Sequence, residues 1–434
     1  MERIAAVLPL LLLLSSWKWC VNTYLSPSII FLGTWSAFLT THALFAPNYK
    51  FSYSAGFIID MLIISFVIGE FTIVVASNRF RRLPKEISMR QSPLNSIVFK
   101  VRLRRIIVVL GIVSLVGSLM YFAIFINHFG SLIGLFTAGS LVRGQLAEGL
   151  ISVPLYIRII VLSAYSTLVL SLIYWIYFEF KWYLTIPFIS MLLMGVAQAG
   201  RAATFMMLII IFVAALWRDK VRCVKKIALR SFKRMIIITI IILVIFTLGM
   251  MQRTQNFNIL SFNDGQMGEY KSYSYGSISA FSAFWDQYSL HSDYRFGIYS
   301  FASLSELLGI SKLPAGFYSE YVLISNTGGE VSNVFTLFRS LIDDFGVVGA
   351  LIYMYALGAV IALVFQCGLK GNKAAIAFIL VADTMLIYSV IAPITQHNTI
   401  LLSFIVPSLI LSVIGNIKPR IHVQCGALGQ PDPG

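Results

Sequence analysis

The sequence predicts an all-α, polytopic membrane protein with about 11 transmembrane helices and one large segment outside the membrane. Of its 434 residues, 58% are hydrophobic and 12% are charged, whereas roughly a quarter of an ordinary soluble domain is charged. Long apolar runs recur from residue 4 to residue 417, and basic residues cluster between them. A water-soluble fold is therefore excluded, and residues 1–417 are predicted to form a single membrane domain.

The apolar runs are predicted as membrane-spanning helices. They lie near residues 3–17, 26–45, 55–77, 106–128, 151–177, 183–199, 202–217, 235–251, 343–367, 374–392 and 398–417. The stretch 183–217 is divided at residues 198–201, because as one helix it would reach about 52 Å against about 30 Å for a hydrocarbon core. The alternative for residues 1–20, a cleaved signal peptide, is disfavoured because SSWKWC lacks a small-x-small cleavage pattern.

Two basic stretches orient the predicted helices. Residues 79–105 hold nine Lys and Arg and residues 218–234 hold eight, which is over half of the 33 in the chain. The positive-inside rule places both stretches, predicted as loops, on the cytoplasmic side beside anionic headgroups. Alternation then puts residues 252–342 outside as one large loop and residues 418–434 inside as a disordered tail. Neither stretch has the pattern of a nucleic-acid-binding module, so no nucleic-acid partner is expected.

The outward loop collects charged groups and aromatic rings. The residues that stand out in it or directly after it are Arg253, Arg295, Arg339, Glu320, Asp343, Tyr275 and Trp285. Aromatic faces beside carboxylates and guanidinium groups can bind the C–H faces and hydroxyls of sugars. A belt of aromatic residues at the membrane interface is the alternative for any single ring. The whole cluster favours a site for a polar, ring-shaped ligand.

Arg201 lies in AQAGRAAT at the outward ends of two apolar helices, and its nearest acids in sequence are Glu179 and Asp219. A guanidinium at membrane depth needs a partner. That partner is a distant carboxylate, a lipid headgroup or a bound anion such as a diphosphate, whose oxygens match the planar fork. Anion binding is favoured because the small neighbours of Arg201 let a bulky ligand come close, and a structural ion pair is the alternative.

Other ionisable residues in or near the predicted spans leave two interpretations open. Asp60, Glu70 and Asp383 suit either the proton relay of a transporter or pairing with arginines. His397 lies in an outward turn, where an imidazole suits proton transfer, although a single histidine is often structural.

The sequence contains no Walker A motif, no Gly-rich dinucleotide fingerprint and no Cys/His metal cluster. The predicted inward loops are too short to house a nucleotide sugar. No metal ion and no cofactor are therefore expected, and an activated substrate is expected to arrive within the membrane or from its outer side. A lipid-linked diphosphate fits the outward arginines.

Short motifs lie in an order that carries a family resemblance. They are the segment Lys18–Ser28 before the second helix, the AGRAA turn at Arg201, Tyr275–Phe281, Asn333–Arg339 and Asp344–Gly349. In this order of features the chain resembles the bacterial oligosaccharide repeat-unit polymerases, the O-antigen polymerase (Wzy) group. The motifs are short and degenerate, and the resemblance covers most of the chain through its predicted topology.

The resemblance implies a metal-independent, GT-C-like membrane glycosyltransferase in the bacterial inner membrane, with its active site on the periplasmic face. Undecaprenyl-diphosphate-linked oligosaccharide would be both donor and acceptor in building O-antigen or a related surface polysaccharide. Membrane lipids and a chain-length regulator are the further partners it implies. The residues assigned to substrate binding are Arg201, Arg253, Arg339, Arg295, Trp285 and Tyr275, and the candidates for the base are His397, Glu320 and Asp343, in that order.

Two alternatives remain open at the level of sequence. An O-antigen ligase shares the fold type and the large periplasmic loop but uses a different acceptor. A secondary transporter or flippase of lipid-linked oligosaccharide would use Asp60, Glu70 and Asp383 as coupling groups. Transporters usually show internal repeats, and none is evident in this sequence.

The charge map predicts that residues 252–342 face the periplasm. Alkaline phosphatase fused after Ser289 should therefore be active, because that enzyme requires export, and the same fusion after Cys223 should be inactive. Enzyme activity per amount of fusion protein is the measurement. Activity of a cytoplasm-only reporter after Ser289 would reverse the topology and remove the case for a lipid-linked donor.

Overall fold

A computed structural model describes most of the chain, which is mostly helical. The described residues are 7–15, 25–80, 93–137, 141–142, 145, 150–198, 201–222, 237, 264–288, 294–307, 310, 318, 320–393 and 398–416. Among them, five helices are long and apolar enough to cross a membrane, and shorter apolar helices cover 182–197 and 400–415. The coarse prediction of an α-helical, multi-pass membrane protein is confirmed. The predicted helix near 235–251, apart from residue 237, and the tail 418–434 lie outside the described residues.

The helices and strands are numbered here in chain order. The helices are α1 (Pro27–Phe45), α2 (Tyr53–Phe80), α3 (Pro93–Phe129), α4 (Leu132–Thr137), α5 (Leu155–Tyr177), α6 (Ile186–Ala197, after the 3₁₀ turn Trp182–Thr185), α7 (Arg201–Val221), α8 (Asp264–Gln287), α9 (Ala302–Leu307), α10 (Leu337–Leu369), α11 (Lys373–Tyr388) and α12 (Asn398–Asn416). Residues 7–15 are also helical. Strands β1 (Val322–Leu323) and β2 (Val331–Ser332) pair antiparallel, with Val322 opposite Ser332.

The basic stretch 79–105 was predicted as a loop, and this was wrong from Pro93 onward, where α3 begins. Proline is tolerated in the first turn of a helix, and Lys and Arg are good helix formers. With 37 residues, α3 reaches about 55 Å and extends beyond a hydrocarbon core of about 30 Å. The excess length carries positive charge, and Arg104 lies 5.5 Å from the centre of the Tyr183 ring.

Helix α10 begins at Leu337, six residues before the predicted start near residue 343. It also breaks at Gly346, whose φ of 68° and ψ of 177° are not helical. The break separates a short helix, residues 337–345, from a long apolar helix, residues 347–369. Arg339 therefore lies on a helix and not in the loop where the sequence placed it.

The long part of α10 packs against α2 at very short range. A Cβ atom at Gly69 would lie 2.0 Å from the carbonyl oxygen of Tyr355, and one at Gly358 would lie 2.1 Å from that of Phe66. Ser65 Oγ of α2 also donates a hydrogen bond to the Leu351 carbonyl of α10 at 2.7 Å. Small residues let helix backbones approach in membranes, where packing rather than the hydrophobic effect drives association. This crossing fixes the position of α10.

One end of the molecule, which we name the loop end, joins the C-terminus of α1, residues 46–52, α8, the β-hairpin, the N-terminus of α10 and the C-terminus of α11. His42 Nε2 lies 2.8 Å from Ser279 Oγ of α8. The backbone N–H of Lys50 donates to the Ile324 carbonyl at 2.7 Å, which links residues 46–52 to the hairpin. A small core of Ala46, Tyr49, Ala280, Tyr318, Ile324 and Phe335 seals these elements together.

The opposite end, which we name the basic end, joins the C-termini of α2, α5, α7 and α10 to the N-termini of α3 and α11. Gln366 Nε2 donates to Ser77 Oγ at 3.0 Å, which ties α10 to α2. Lys373 Nζ of α11 lies 4.4 Å from the centre of the Phe99 ring of α3. The main apolar core runs between the two ends.

Replacement of Gly346 by Ala should destabilise the protein. The left-handed φ is unfavourable for a residue with a side chain, and the new Cβ would lie 2.7 Å from the Tyr294 ring. We expect a loss of about 1–3 kcal/mol, measured as a lower thermal unfolding midpoint in detergent. Gly33→Ala in α1 is the control, because no atom lies within 4 Å of its Cβ position. Equal midpoints for Gly346→Ala and the wild type would show that the break is not required.

Candidate active site

The first turn of α10 directs a charged side chain toward the loop end. The backbone N–H of Leu337 donates to the Ser389 carbonyl at 2.8 Å, which holds the start of the helix on the C-terminus of α11. Phe338 is fully buried and stacks on Trp35, with ring centres 4.7 Å apart. Successive side chains on a helix point about 100° apart. With Phe338 fixed in the core, Arg339 points away from it, toward the loop end.

Arg339 is buried and is paired with two carboxylates. Only 5% of its side chain is exposed, against 17% for Asp343 and 59% for Glu320. Its Nη2 atom forms an ion pair with Glu320 Oε1, and its Nε atom donates to Asp343 Oδ2 at 3.3 Å. A buried guanidinium without a counter-charge is strongly unfavourable. The two acids therefore stabilise the charge of Arg339 at this position.

Three aromatic rings surround the Arg339 guanidinium, and we name them the Arg339 box. The Cζ atom of Arg339 lies 3.8 Å from the ring centres of both Tyr318 and Phe335, and 4.6 Å from that of Phe284. Each ring offers a cation–π interaction, which is stronger where water is excluded. Because rings cover the guanidinium this closely, it can meet a further polar group only along its edge.

One nitrogen on that edge, Nη1, has no acceptor among the described residues. Arg339 Nη1 is buried and makes no hydrogen bond to any residue that the structure describes. Leaving a charged donor unsatisfied costs more than the roughly 1–3 kcal/mol of a neutral one. Nη1 and Nη2 together form the fork that binds carboxylates and phosphates through two oxygens, and Glu320 occupies only Nη2. A group with two oxygens at this edge would satisfy both nitrogens.

Asp344 faces away from Asp343 and anchors a neighbouring loop. Its two carboxylate oxygens accept the backbone N–H groups of Tyr299 at 3.1 Å and Ser300 at 2.6 Å. The carbonyl oxygens of Asp343 and Asp344 accept two further N–H groups, from residues 295–296, at 3.2 and 3.0 Å. The two adjacent aspartates thus have different partners, as their helical spacing predicts. Asp344 fixes residues 294–301 against the break in α10.

Tyr318 connects the Arg339 box to this anchored loop. Its ring stacks on Tyr299 with centres 5.1 Å apart, and its hydroxyl lies 3.1 Å from Ser340 Oγ. Burial raises the pKa of Tyr318 well above its usual range, and the negative charge of Asp343 acts in the same direction. The Tyr318 hydroxyl therefore stays protonated and remains a hydrogen-bond donor beside Asp343.

The two aromatic residues predicted to bind substrate lie outside the Arg339 box. Tyr275 is half-buried, with its ring centre 6.0 Å from that of His42. Trp285 stacks on Tyr288, with ring centres 5.3 Å apart. Phe284, which the sequence did not favour over its neighbours, is the α8 ring that reaches Arg339.

The remaining predicted residues are not all described. Arg295 is exposed, and its backbone N–H reaches the Asp343 carbonyl. For Arg201 the structure describes the helical backbone at the start of α7 but not the side chain. Arg253 and His397 lie outside the described residues. Of the predicted site residues, the structure therefore brings together Arg339, Glu320 and Asp343.

Glu70 and Asp383 are two buried acids within the apolar helices. Glu70 accepts hydrogen bonds from the Ser26 hydroxyl at 2.6 Å and the Ser28 N–H at 2.7 Å, so it caps the start of α1. Asp383 is fully buried, and within the described part of the chain the Trp217 indole lies beside its carboxylate. In that part, no arginine pairs with either acid.

One contact of the site, between Arg339 and Asp343, follows from the spacing of these residues in the sequence. Arg339 and Asp343 are four residues apart, the distance at which side chains on one helix face meet. Glu320, Tyr318 and Phe284 reach Arg339 through tertiary folding, and no local pattern identifies them. In the described ranges, no group of three or more His, Cys, Asp or Glu residues could hold a metal ion.

Comparisons of the chain with family models, curated proteins and solved structures find no match. Its function must therefore be inferred from the residues and their geometry.

Replacement of Asp344 by Asn should destabilise the site. Asn retains one oxygen acceptor but places an NH₂ group against the second backbone N–H, so one of the two hydrogen bonds to Tyr299 and Ser300 is lost. A hydrogen bond to a charged group contributes about 1.5–3 kcal/mol, and we expect the thermal unfolding midpoint to fall accordingly. Asp286→Asn is the control, since Asp286 is exposed. A midpoint as high as that of the control would contradict an anchoring role for Asp344.

Proposed function

We propose that the protein is a membrane glycosyltransferase that polymerises undecaprenyl-diphosphate-linked oligosaccharide repeat units into O-antigen or a related surface polysaccharide. The observation that carries this proposal is the edge of Arg339, a buried charged fork beside two carboxylates, with one nitrogen that has no partner among the described residues. The aromatic rings around it add surfaces of the kind that sugars contact. This combination suits an anionic leaving group bound next to a sugar.

The exposure of the two acids indicates how a diphosphate would bind. Glu320 is 59% exposed, so it can leave Arg339 for solvent, whereas Asp343, at 17%, stays on Nε. Two phosphate oxygens would then bind Nη1 and Nη2 together. The exchange replaces one anion by another, so the buried guanidinium remains neutralised throughout.

The reaction itself needs charge stabilisation and a base. The acceptor hydroxyl oxygen attacks the anomeric carbon of the donor glycan, the bond from that carbon to the phosphate oxygen breaks, and its electron pair leaves with undecaprenyl diphosphate. Arg339 stabilises the charge that develops on the leaving oxygens. The acceptor proton passes to a carboxylate, for which Glu320, once released from Arg339, and Asp343 are in place. His397 remains a further candidate.

The position of the site along α10 suits a substrate held in the membrane. Arg339 lies on the short helix before the break, and the apolar helix 347–369 follows directly. Val348 and Ile352, two and six residues beyond the break, are exposed apolar residues. A polyprenyl chain can lie along that surface while its diphosphate reaches Arg339. We place this end on the periplasmic face of the inner membrane, following the charge map.

A transporter of lipid-linked oligosaccharide is the second candidate function. It is favoured by Asp383, a fully buried carboxylate within the helix bundle that pairs with no arginine in the described part of the chain, as suits a proton-coupling acid. An O-antigen ligase would use the site around Arg339 with a different acceptor.

Deletion of the gene followed by lipopolysaccharide gel analysis separates these functions. Loss of a polymerase should leave the core with a single repeat unit. Loss of a ligase should leave bare core, and loss of a flippase should leave bare core with precursor accumulating inside the cell. We expect the first pattern, and bare core would contradict polymerisation.

Arg339→Lys should abolish most polymerisation while leaving the protein folded. Lysine keeps the positive charge for the two acids but loses the planar fork. Loss of one such contact costs on the order of 2–4 kcal/mol, or roughly 30- to 1000-fold in rate, read as polysaccharide chain length against the amount of protein in the membrane. Arg105→Lys, at an exposed position of α3, should be nearly normal. Polymer of wild-type length from Arg339→Lys would contradict the assignment.

A further inference from the structure

A cleft of about 190 Å³ opens at the basic end, remote from Arg339. It lies between the C-terminal half of α5, the turn that follows, the start of α6 and the middle of α7. Its walls are apolar and include Trp175, Phe180, Phe188 and Ile211. An apolar cleft that opens on the side of a membrane-spanning helix bundle suits a hydrocarbon chain.

The polar atoms of the lining do not reach the surface of the cleft. Ser171 is 1% exposed, and its Oγ atom is covered by neighbouring atoms. The Thr185 hydroxyl donates to the Trp182 carbonyl at 2.6 Å. A ligand in the cleft therefore meets apolar surface, which suits a hydrocarbon chain.

The rim of the cleft is positively charged. Basic side chains contact residues 175–183 or belong to them: Lys100, Arg104, Lys181, Arg218 and Arg222. Arg218 lies 4.8 Å from the centre of the Trp175 ring, and Arg222 donates to the Phe178 carbonyl at 3.1 Å. Among the described residues, the acids beside them are Glu179, which lies 3.8 Å from Lys181, and the buried Asp219. The described part of the rim is thus net positive.

We propose that this cleft binds an anionic glycerophospholipid. One acyl chain would lie in the apolar cleft, and the headgroup phosphate would lie among Arg104, Arg218 and Arg222. A zwitterionic lipid fits less well, because its own cation would face the positive rim. This lipid site is independent of the proposed function.

Native mass spectrometry of the purified full-length protein tests the proposal. The protein is titrated in detergent with dioleoyl phosphatidylglycerol or with dioleoyl phosphatidylcholine, and the bound lipid is counted. We expect selective binding of phosphatidylglycerol, and we expect Arg104→Gln combined with Arg222→Gln to weaken it roughly 30-fold. Lys370→Gln removes one exposed charge at the basic end, away from the cleft, and should leave the affinity within about twofold.

A second variant separates the cleft from general surface charge. Ile211→Trp fills the cleft and should abolish selective binding with all rim charges retained, whereas Leu363→Trp, on the exposed apolar surface of α10, should not. If Ile211→Trp fails to fold, the double rim variant alone decides the question. Equal binding of the two lipids, or a loss in Lys370→Gln as large as in the double variant, would overturn the proposal.

Discussion

The buried charge of Arg339 is the constraint on which the loop end depends. A guanidinium with 5% exposure is tolerated only with anions and aromatic faces around it. Glu320 comes from the segment before the hairpin, Asp343 from the next helical turn and Phe284 from α8. Two other parts of the chain, the segment before the hairpin and α8, therefore converge on α10 because each supplies a group that stabilises the buried charge. The two acids pair with only Nε and Nη2 of the guanidinium, so Arg339 can both hold these segments together and bind an anion.

The break at Gly346 separates this polar site from the apolar part of α10. The Tyr294 ring lies directly against Gly346 at the break, and Asp344, two residues earlier, accepts the backbone N–H groups of Tyr299 and Ser300. The close crossing of α2 and α10 then holds the apolar half in place. The polar site around Arg339 thus lies at the end of a firmly packed apolar helix. This arrangement suits chemistry on a lipid-linked substrate. The lipid site proposed at the basic end is of a different kind, since it combines an apolar cleft with a cationic rim.

Features that depend on local composition were predictable from the sequence, and those that depend on tertiary contacts were not. Apolar runs gave α1, α2 and α5 within a few residues, because hydrocarbon thickness limits where such helices begin and end. The start of α3 was missed, since basic residues extend a helix as readily as they form a loop. Arg339, Glu320 and Asp343 were each identified, but the ion pair between Arg339 and Glu320, nineteen residues apart, has no local signature. The Gly346 break was equally hidden, because a glycine inside an apolar run is compatible with a continuous membrane helix.

The central claim is that Glu320 occupies a position on Arg339 that a diphosphate would take. Isothermal titration of the purified protein with a short-chain prenyl diphosphate tests it directly, in the wild type and in Glu320→Gln. Removing the competing charge while retaining Arg339 should strengthen binding about tenfold, the equivalent of about 1.4 kcal/mol, and prenyl monophosphate should bind more weakly than the diphosphate to both proteins. Unchanged or weaker diphosphate binding by a folded Glu320→Gln variant would contradict the account.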